Sequence, residues 1–205
     1  MNDTPSQHHS ALSRFRMIMW GLVFVSGVAA TLMFVFFPPQ RPLGLASADF
    51  RLISTENTLF RDEDFVGTPS LVFFGYTYCP DVCPTTLAEA VAWRAALRIS
   101  PDRLRIIFVT VDPDRDTIPN LRIYLEAFGG HVIGLRGRTK EQTEAIKTAF
   151  GVFSEKVEDP DSTEYLVNHT AGVFMISAEG TYEGRLSYGV KKEVALAEIR
   201  RLVGI

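Results

Sequence analysis

Two cysteines, Cys79 and Cys83, are the only ones in the chain, four positions apart in Tyr76-Thr77-Tyr78-Cys79-Pro80-Asp81-Val82-Cys83-Pro84. The run follows the apolar Leu71-Val72-Phe73-Phe74-Gly75 and leads into a helical pattern, so the pair is expected between the end of a buried strand and the start of a helix. Unpaired amides and the partial positive charge at a helix N-terminus favour thiolate over thiol, the state that metal binding and thiol exchange both need. Cys83 is expected to feel this most. Residues four apart on a helical turn have Cβ atoms about 5–6 Å apart, so two sulfurs can converge on one ion at bonds near ~2.3 Å. The same approach admits a disulfide. Spacing by itself therefore leaves metal binding and redox chemistry both open. The plain alternative is two unrelated core cysteines, which are usually buried and inert, but Pro-flanked pairs at a helix start are not typical core positions.

A third ligand has two candidates. His169, in Tyr165-Leu166-Val167-Asn168-His169-Thr170, precedes an apolar run at 172–177 and is expected at a strand entrance, where a loop can reach the cysteines. Its rival is His131, in Gly-Gly-His-Val at the start of another strand. His8 and His9 fall on an N-terminal tail and receive no role. Two soft thiolates with an imidazole suit copper(I), which accepts low coordination, whereas structural zinc normally takes a fourth protein ligand. The run Val109-Thr110-Val111-Asp112-Pro113-Asp114-Arg115-Asp116-Thr117 ends a strand and enters a helix, so its acids are candidate neighbours of the site. The alternative is a turn with helix capping, more so for Asp114 and Asp116 than for Asp112.

The elements that must position these groups read as one α/β domain. Strands are expected at 50–54, 70–74, 104–111, 132–135, 172–177 and 181–185, several of them uninterrupted apolar runs suited to a sheet covered on both faces. The last two, separated by Ala-Glu-Gly, read as a hairpin. Helices are expected from Thr86, Thr117 and Thr139, the first and third with the side-chain spacing of a capping box, and over 191–203. This order suits a thioredoxin-like sandwich, although the pattern also permits other small α/β folds.

At 205 residues, 46% hydrophobic, the chain can bury one ordinary domain plus an accessory segment. A net charge of -3 supplies no broad basic surface, so nucleic acid is excluded as a partner class. Residues 17–37 hold no charged side chain and read as a transmembrane helix. A cleaved signal peptide would have a shorter apolar core, of about 7–15 residues, and small residues after it rather than Phe-Pro-Pro. Arg14 and Arg16 before the span favour an inside N-terminus. The tail lacks the Arg-rich, acid-poor length of a mitochondrial presequence, so a bacterial inner membrane is preferred to the mitochondrial one. The expected organisation is a cytoplasmic tail at 1–16, a single-pass anchor at 17–37, a proline-stiffened linker at 38–47, and a periplasmic domain at 48–205.

Three motifs in order, Phe-Phe-Gly-Tyr-Thr-Tyr-Cys-Pro-Asp-Val-Cys-Pro, Val-Asp-Pro-Asp-Arg-Asp-Thr and Tyr-Leu-Val-Asn-His-Thr, resemble those of the SCO/SenC family of copper proteins. The resemblance covers about 48–205, and the preceding anchor is similar to the family's arrangement. It implies a thioredoxin-like domain on the periplasmic or intermembrane-space side, copper held by Cys79, Cys83 and His169, and a part in building the dinuclear copper centre of cytochrome c oxidase. It raises His169 above His131 and gives Asp112 a place in copper handling without making it a primary ligand. The implied partners are the copper-receiving oxidase subunit, a periplasmic copper donor and a thiol reductant. The protein would then be a metallochaperone rather than an enzyme; the alternative is a thiol-disulfide oxidoreductase that keeps the oxidase cysteines reduced. The sequence departs from the family at Tyr78, where many members carry histidine, and at Gly67-Thr68-Pro69, where a Gly-Lys-Pro turn is common.

Overall fold

The computed structural model describes residues 7–36, 50–129, 131–158 and 164–205. The chain divides into two units between residues 41 and 42. In the first, α1 (Gln7–Phe36) is a single helix. Its stretch Phe15–Met33, 19 residues of mean hydropathy 1.7, is long and apolar enough to cross a bilayer. Trp20, Phe24 and Met33 on it are exposed, a surface that hydrocarbon covers at no desolvation cost. Helix begins within the expected polar tail, at Gln7. The expected linker at 38–47 lies outside the described residues.

The second unit contains β1 (Arg51–Ser54), β2 (Leu59–Arg61), β3 (Ser70–Gly75), α2 (Val82–Ala96), β4 (Arg105–Thr110), α3 (Ile118–Glu126) and β5 (Val132–Gly137). After these come α4 (Lys140–Phe150), β6 (Ser154–Glu158), β7 (Tyr165–His169), β8 (Val173–Ile176), β9 (Tyr182–Leu186) and α5 (Lys192–Val203). Seven strands form one sheet in the order β2-β1-β5-β4-β3-β8-β9, and β6 and β7 form a separate two-stranded ribbon. The centre is parallel, β3 with β4 and β4 with β5. The margins are antiparallel, β1 with β2 and β5 on one side and β8 with β3 and β9 on the other.

Every residue of β3 is buried, as an apolar run requires when helices cover both faces of a parallel centre. Strand alternation sends Phe73 and Phe74 to opposite faces. Phe73 meets Phe108 of β4, which meets Tyr124 of α3. Phe74 meets Phe150 of α4 and Phe174 of β8. The chain therefore leaves β3 clamped from above and below.

Thr117 and Thr139 cap α3 and α4 as expected, their side chains accepting from the amides of Asn120 and Gln142. The hairpin of β8 and β9 also stands as expected. Thr86 does not start a helix: α2 begins at Val82, and the Thr86 hydroxyl donates back to the Val82 carbonyl at 2.7 Å. The strands β2, β6 and β7 were not anticipated. β2 has three residues, and most residues of β6 are exposed, so none carries the apolar alternation that marks a strand.

Candidate metal centre

The cysteine loop is held at its root by three contacts with the second motif. The amide of Val111 donates to the Gly75 carbonyl at 2.9 Å. Two residues on, the Thr77 amide and hydroxyl both donate to the Asp116 carboxylate, the hydroxyl at 2.6 Å, and the Thr110 hydroxyl donates to the same group at 2.5 Å. Asp116 is fully buried, and burial pushes its pKa above the usual carboxylate range while these hydrogen bonds oppose the shift. The expectation that Asp116 is merely a turn or capping residue gives way: it orders the backbone two residues before Cys79.

Cys79 lies in the turn ahead of α2, not on its first turn, and Cys83 is the second residue of the helix. The Cys83 amide donates to the Cys79 sulfur at 3.4 Å. One of the helix's orphan amides thus takes a sulfur where a capping oxygen would otherwise stand, while the N-cap residue Asp81 makes no side-chain cap. The acidities follow from this geometry and reverse the expectation. The hydrogen bond from the Cys83 thiol lowers Cys79 to about 5, aided by the Asp81 and Cys83 amides and by His169, against its own burial. Donation to that thiolate, together with burial, pushes Cys83 far up. Cys83 is 0% exposed, whereas Cys79 is only partly buried. Proximity to the helix start favours Cys83, but desolvation and its donor role outweigh it.

Gly75 makes this packing possible. A Cβ there would stand 2.9 Å from Phe73 Cε1 and 3.0 Å from both Cys83 Sγ and Phe108 Cε2.

His169 is the last residue of β7, not a loop residue, and 86 positions from Cys83 its Nε2 stands 3.4 Å from the Cys83 sulfur. Its Nδ1 is 3.1 Å from the Thr170 carbonyl. With the ring proton on Nδ1, that carbonyl accepts it and the Nε2 lone pair faces the thiol, the arrangement of a ligating histidine. Phe73 and Tyr76 set their rings edge-on to the imidazole, at 6.2 and 6.0 Å. An ion bound at about 2.3 Å to sulfur and about 2.0 Å to nitrogen would see the 3.4 Å separation as an angle of roughly 104°, a few degrees below the tetrahedral value. Among the described residues no three His, Cys, Asp or Glu side chains form a ready-made metal cluster. The convergence is pairwise through Cys83, and Cys79 is the more accessible of the two thiols.

Asp112 is buried, accepting from the Tyr165 hydroxyl at 2.8 Å and from Arg115 at 2.6 Å. Asp114 is instead a surface partner of Lys156. His131 does not reach the cysteines: it is exposed, with left-handed backbone, and lines a separate cleft of about 410 Å³ with Arg122 and Glu126. Arg115 is the residue sequence reasoning passed over. Its guanidinium lies over the rings of Tyr165, Tyr78 and Tyr76 at 3.6, 4.7 and 5.7 Å. The available signal was that all three tyrosines and the arginine fall inside the three motifs.

The family described as SCO1/SenC matches residues 39–204. An SCO2-like protein of Rickettsia felis is 35% identical over 135 residues, 65% of this chain and 65% of the relative. The mitochondrial SCO1 homolog of Homo sapiens is 30% identical over 148 residues, 70% of this chain and 48% of the relative. The match thus spans less than two thirds of either relative's own length. Among solved structures, Bradyrhizobium japonicum ScoI with copper bound superposes with a TM-score of 0.68 at 33% identity, over 75% of this chain and 96% of that one. Yeast Sco1 with copper bound gives a TM-score of 0.68 at 26% identity, over 76% and 86%. The central sheet matches these thioredoxin-like structures, as the sequence led us to expect. A match running from residue 39 to residue 204, over all three motifs that meet at the cysteine loop, makes the chain a member of the SCO1/SenC family.

Proposed function

We propose that the protein is a membrane-anchored copper carrier that holds one copper ion through Cys79, Cys83 and His169 and passes it to the dinuclear copper centre of cytochrome c oxidase during assembly. One observation carries the reading: the imidazole of His169 stands 3.4 Å from the buried Cys83 sulfur, in a chain whose solved relatives include copper-bound forms. Two sulfurs and one imidazole suit a soft ion that accepts low coordination. Cys79, ionised above about pH 5 and partly accessible, is the natural point of entry and exit. Ligand exchange would begin there, with a cysteine of the receiving oxidase subunit displacing Cys79 before Cys83 and His169 release the ion. The helix α1 would hold the domain on the periplasmic side of a bacterial inner membrane, within reach of that subunit and of a periplasmic copper donor. Oxidation of the Cys79 thiolate and the Cys83 thiol to a disulfide, with two electrons passing to a disulfide or other thiol oxidant and one proton released, would remove both sulfur ligands, so loading would depend on a reducing thiol partner.

A second reading has its own support. A thiolate of lowered pKa next to a buried partner thiol is also the arrangement of a thiol-disulfide oxidoreductase, which would keep the oxidase cysteines reduced. The two readings separate on copper stoichiometry in the full chain, reduced anaerobically in detergent. One tightly held copper per chain, weakened in each of Cys79→Ser, Cys83→Ser and His169→Ala, supports the carrier. No specific copper, with a disulfide that cycles readily and is indifferent to His169→Ala, moves the function to thiol exchange.

A further inference from the structure

We propose that Arg115 is a positioning residue that locks His169 against the cysteine loop, so that without it copper is held by the two sulfurs alone. The proposal rests on the copper reading above. Among the described residues β7 pairs only with β6 and has no place in the seven-stranded sheet, so side chains must set its distance from the cysteines. Residues 165, 167 and 169 share one face of β7, and each is tied down. The Arg115 guanidinium lies 3.6 Å over the Tyr165 ring and donates to the Tyr165 carbonyl at 2.9 Å. The Val167 amide donates to the Tyr76 hydroxyl at 3.2 Å. His169 then meets Cys83.

Arg115 touches all three segments. It pairs with Asp112 in its own loop at 2.6 Å, reaches Glu164 at 3.3 Å beside β7, and carries the rings of Tyr76 and Tyr78 from the cysteine loop. Its second terminal nitrogen is buried with no hydrogen-bond partner among the described residues, so ring faces rather than oxygens fill that side. Stacking between aromatic planes needs a flat, delocalised cation, which lysine does not supply. Tyr78 closes the stack immediately before Cys79.

The test is a double-mutant cycle on copper(I) affinity in the full chain, by competition with a chromogenic chelator, comparing Arg115→Met, His169→Ala and the pair. Arg115→Met keeps the apolar stem and removes the planar charge. It should lower affinity by about 10–100-fold, the usual cost of losing an outer partner of a ligand, and Arg115→Lys should not restore it. His169→Ala should then cost little more in the Arg115→Met background than Arg115→Met alone. Additive losses, with X-ray absorption still showing two sulfurs and a nitrogen in Arg115→Met, would overturn the proposal. If Arg115→Met unfolds because Asp112 is left buried and unpaired, Arg115→Met with Asp112→Asn removes that charge and takes its place in the cycle. A copper-free arm keeps the two readings apart: nuclear magnetic relaxation of reduced apoprotein should show His169 rigid in the wild type and mobile in the Arg115 variant, with α2 unchanged. Wild-type copper without a nitrogen ligand would sink the copper reading while relaxation still decided the positioning role, and a rigid His169 in the variant would sink the latter.

Discussion

Cys79 and Cys83 carry the same side chain, yet their surroundings drive their acidities apart. Cys79 accepts from an amide and a thiol and falls to about 5, while Cys83, enclosed and donating, is raised. The pair gives up its first proton at Cys79 and strongly resists the second. Reduced apoprotein should therefore show one thiol that reacts with iodoacetamide at a rate rising through pH 5 and level above it, mapped by mass spectrometry to Cys79. A midpoint near 9, the ordinary value for a thiol, would contradict the geometry. The same shifts make stability depend on pH. Between about 5 and 9 the unfolded chain keeps the Cys79 proton that the folded chain has lost, so stability rises with pH across that window and is lost as pH falls through 5. Above 9 the Cys83 contribution reverses: the folded state holds a proton that the unfolded chain releases, and its share of stability declines. Denaturant titrations of reduced protein at several pH values would show the rise and the turn.

Between β3 and α2 the fold brings two elements so close that the last residue of the strand has no room for a side chain. Phe73, Phe108 and Cys83, the three groups a Cβ on Gly75 would strike, are at most 1% exposed and enclosed on all sides, so none can swing aside. Gly75→Ala should cost about 1–3 kcal/mol of stability, the usual cost of overpacking a core, and should weaken copper binding by displacing Cys83 from His169. Thermal unfolding and chelator competition would report both, and wild-type values in both would refute the packing argument. Elements with strong local signals were legible before the fold was seen. The largely apolar, fully buried β3, the capped helices α3 and α4 and the hairpin of β8 and β9 each announce themselves within a dozen residues. The ribbon of β6 and β7 did not, because its outer residues are polar or exposed and its pairing joins segments that show no shared period. α2 was placed four residues late because Thr86 imitates a cap, while a sulfur serves the role in its stead.

The molecule as a whole joins an apolar helix to a domain with its own core. α1 has the length and hydropathy of a span, and the buried rings around Phe65, Phe74, Phe150 and Phe174 belong to residues from Phe50 onward. Removing residues 1–41 should yield a water-soluble domain that binds copper with the same stoichiometry and affinity as the full chain, while the full chain sediments with membranes and resists alkaline extraction. A truncated domain that aggregates would show that the first unit contributes to folding as well as to anchoring. What the sequence alone determined is what local composition can encode: an apolar span, one α/β domain, a cysteine pair between strand and helix, and three motifs whose order resembles one family. The family resemblance already preferred His169 to His131, but the physical reason lies in the tertiary structure, where the end of β7 reaches Cys83 across 86 positions. Only the tertiary structure decided which thiol is the acid, since burial and donor direction are properties of the packed site. The contacts of Asp116 and Arg115 likewise join segments that lie far apart in the chain.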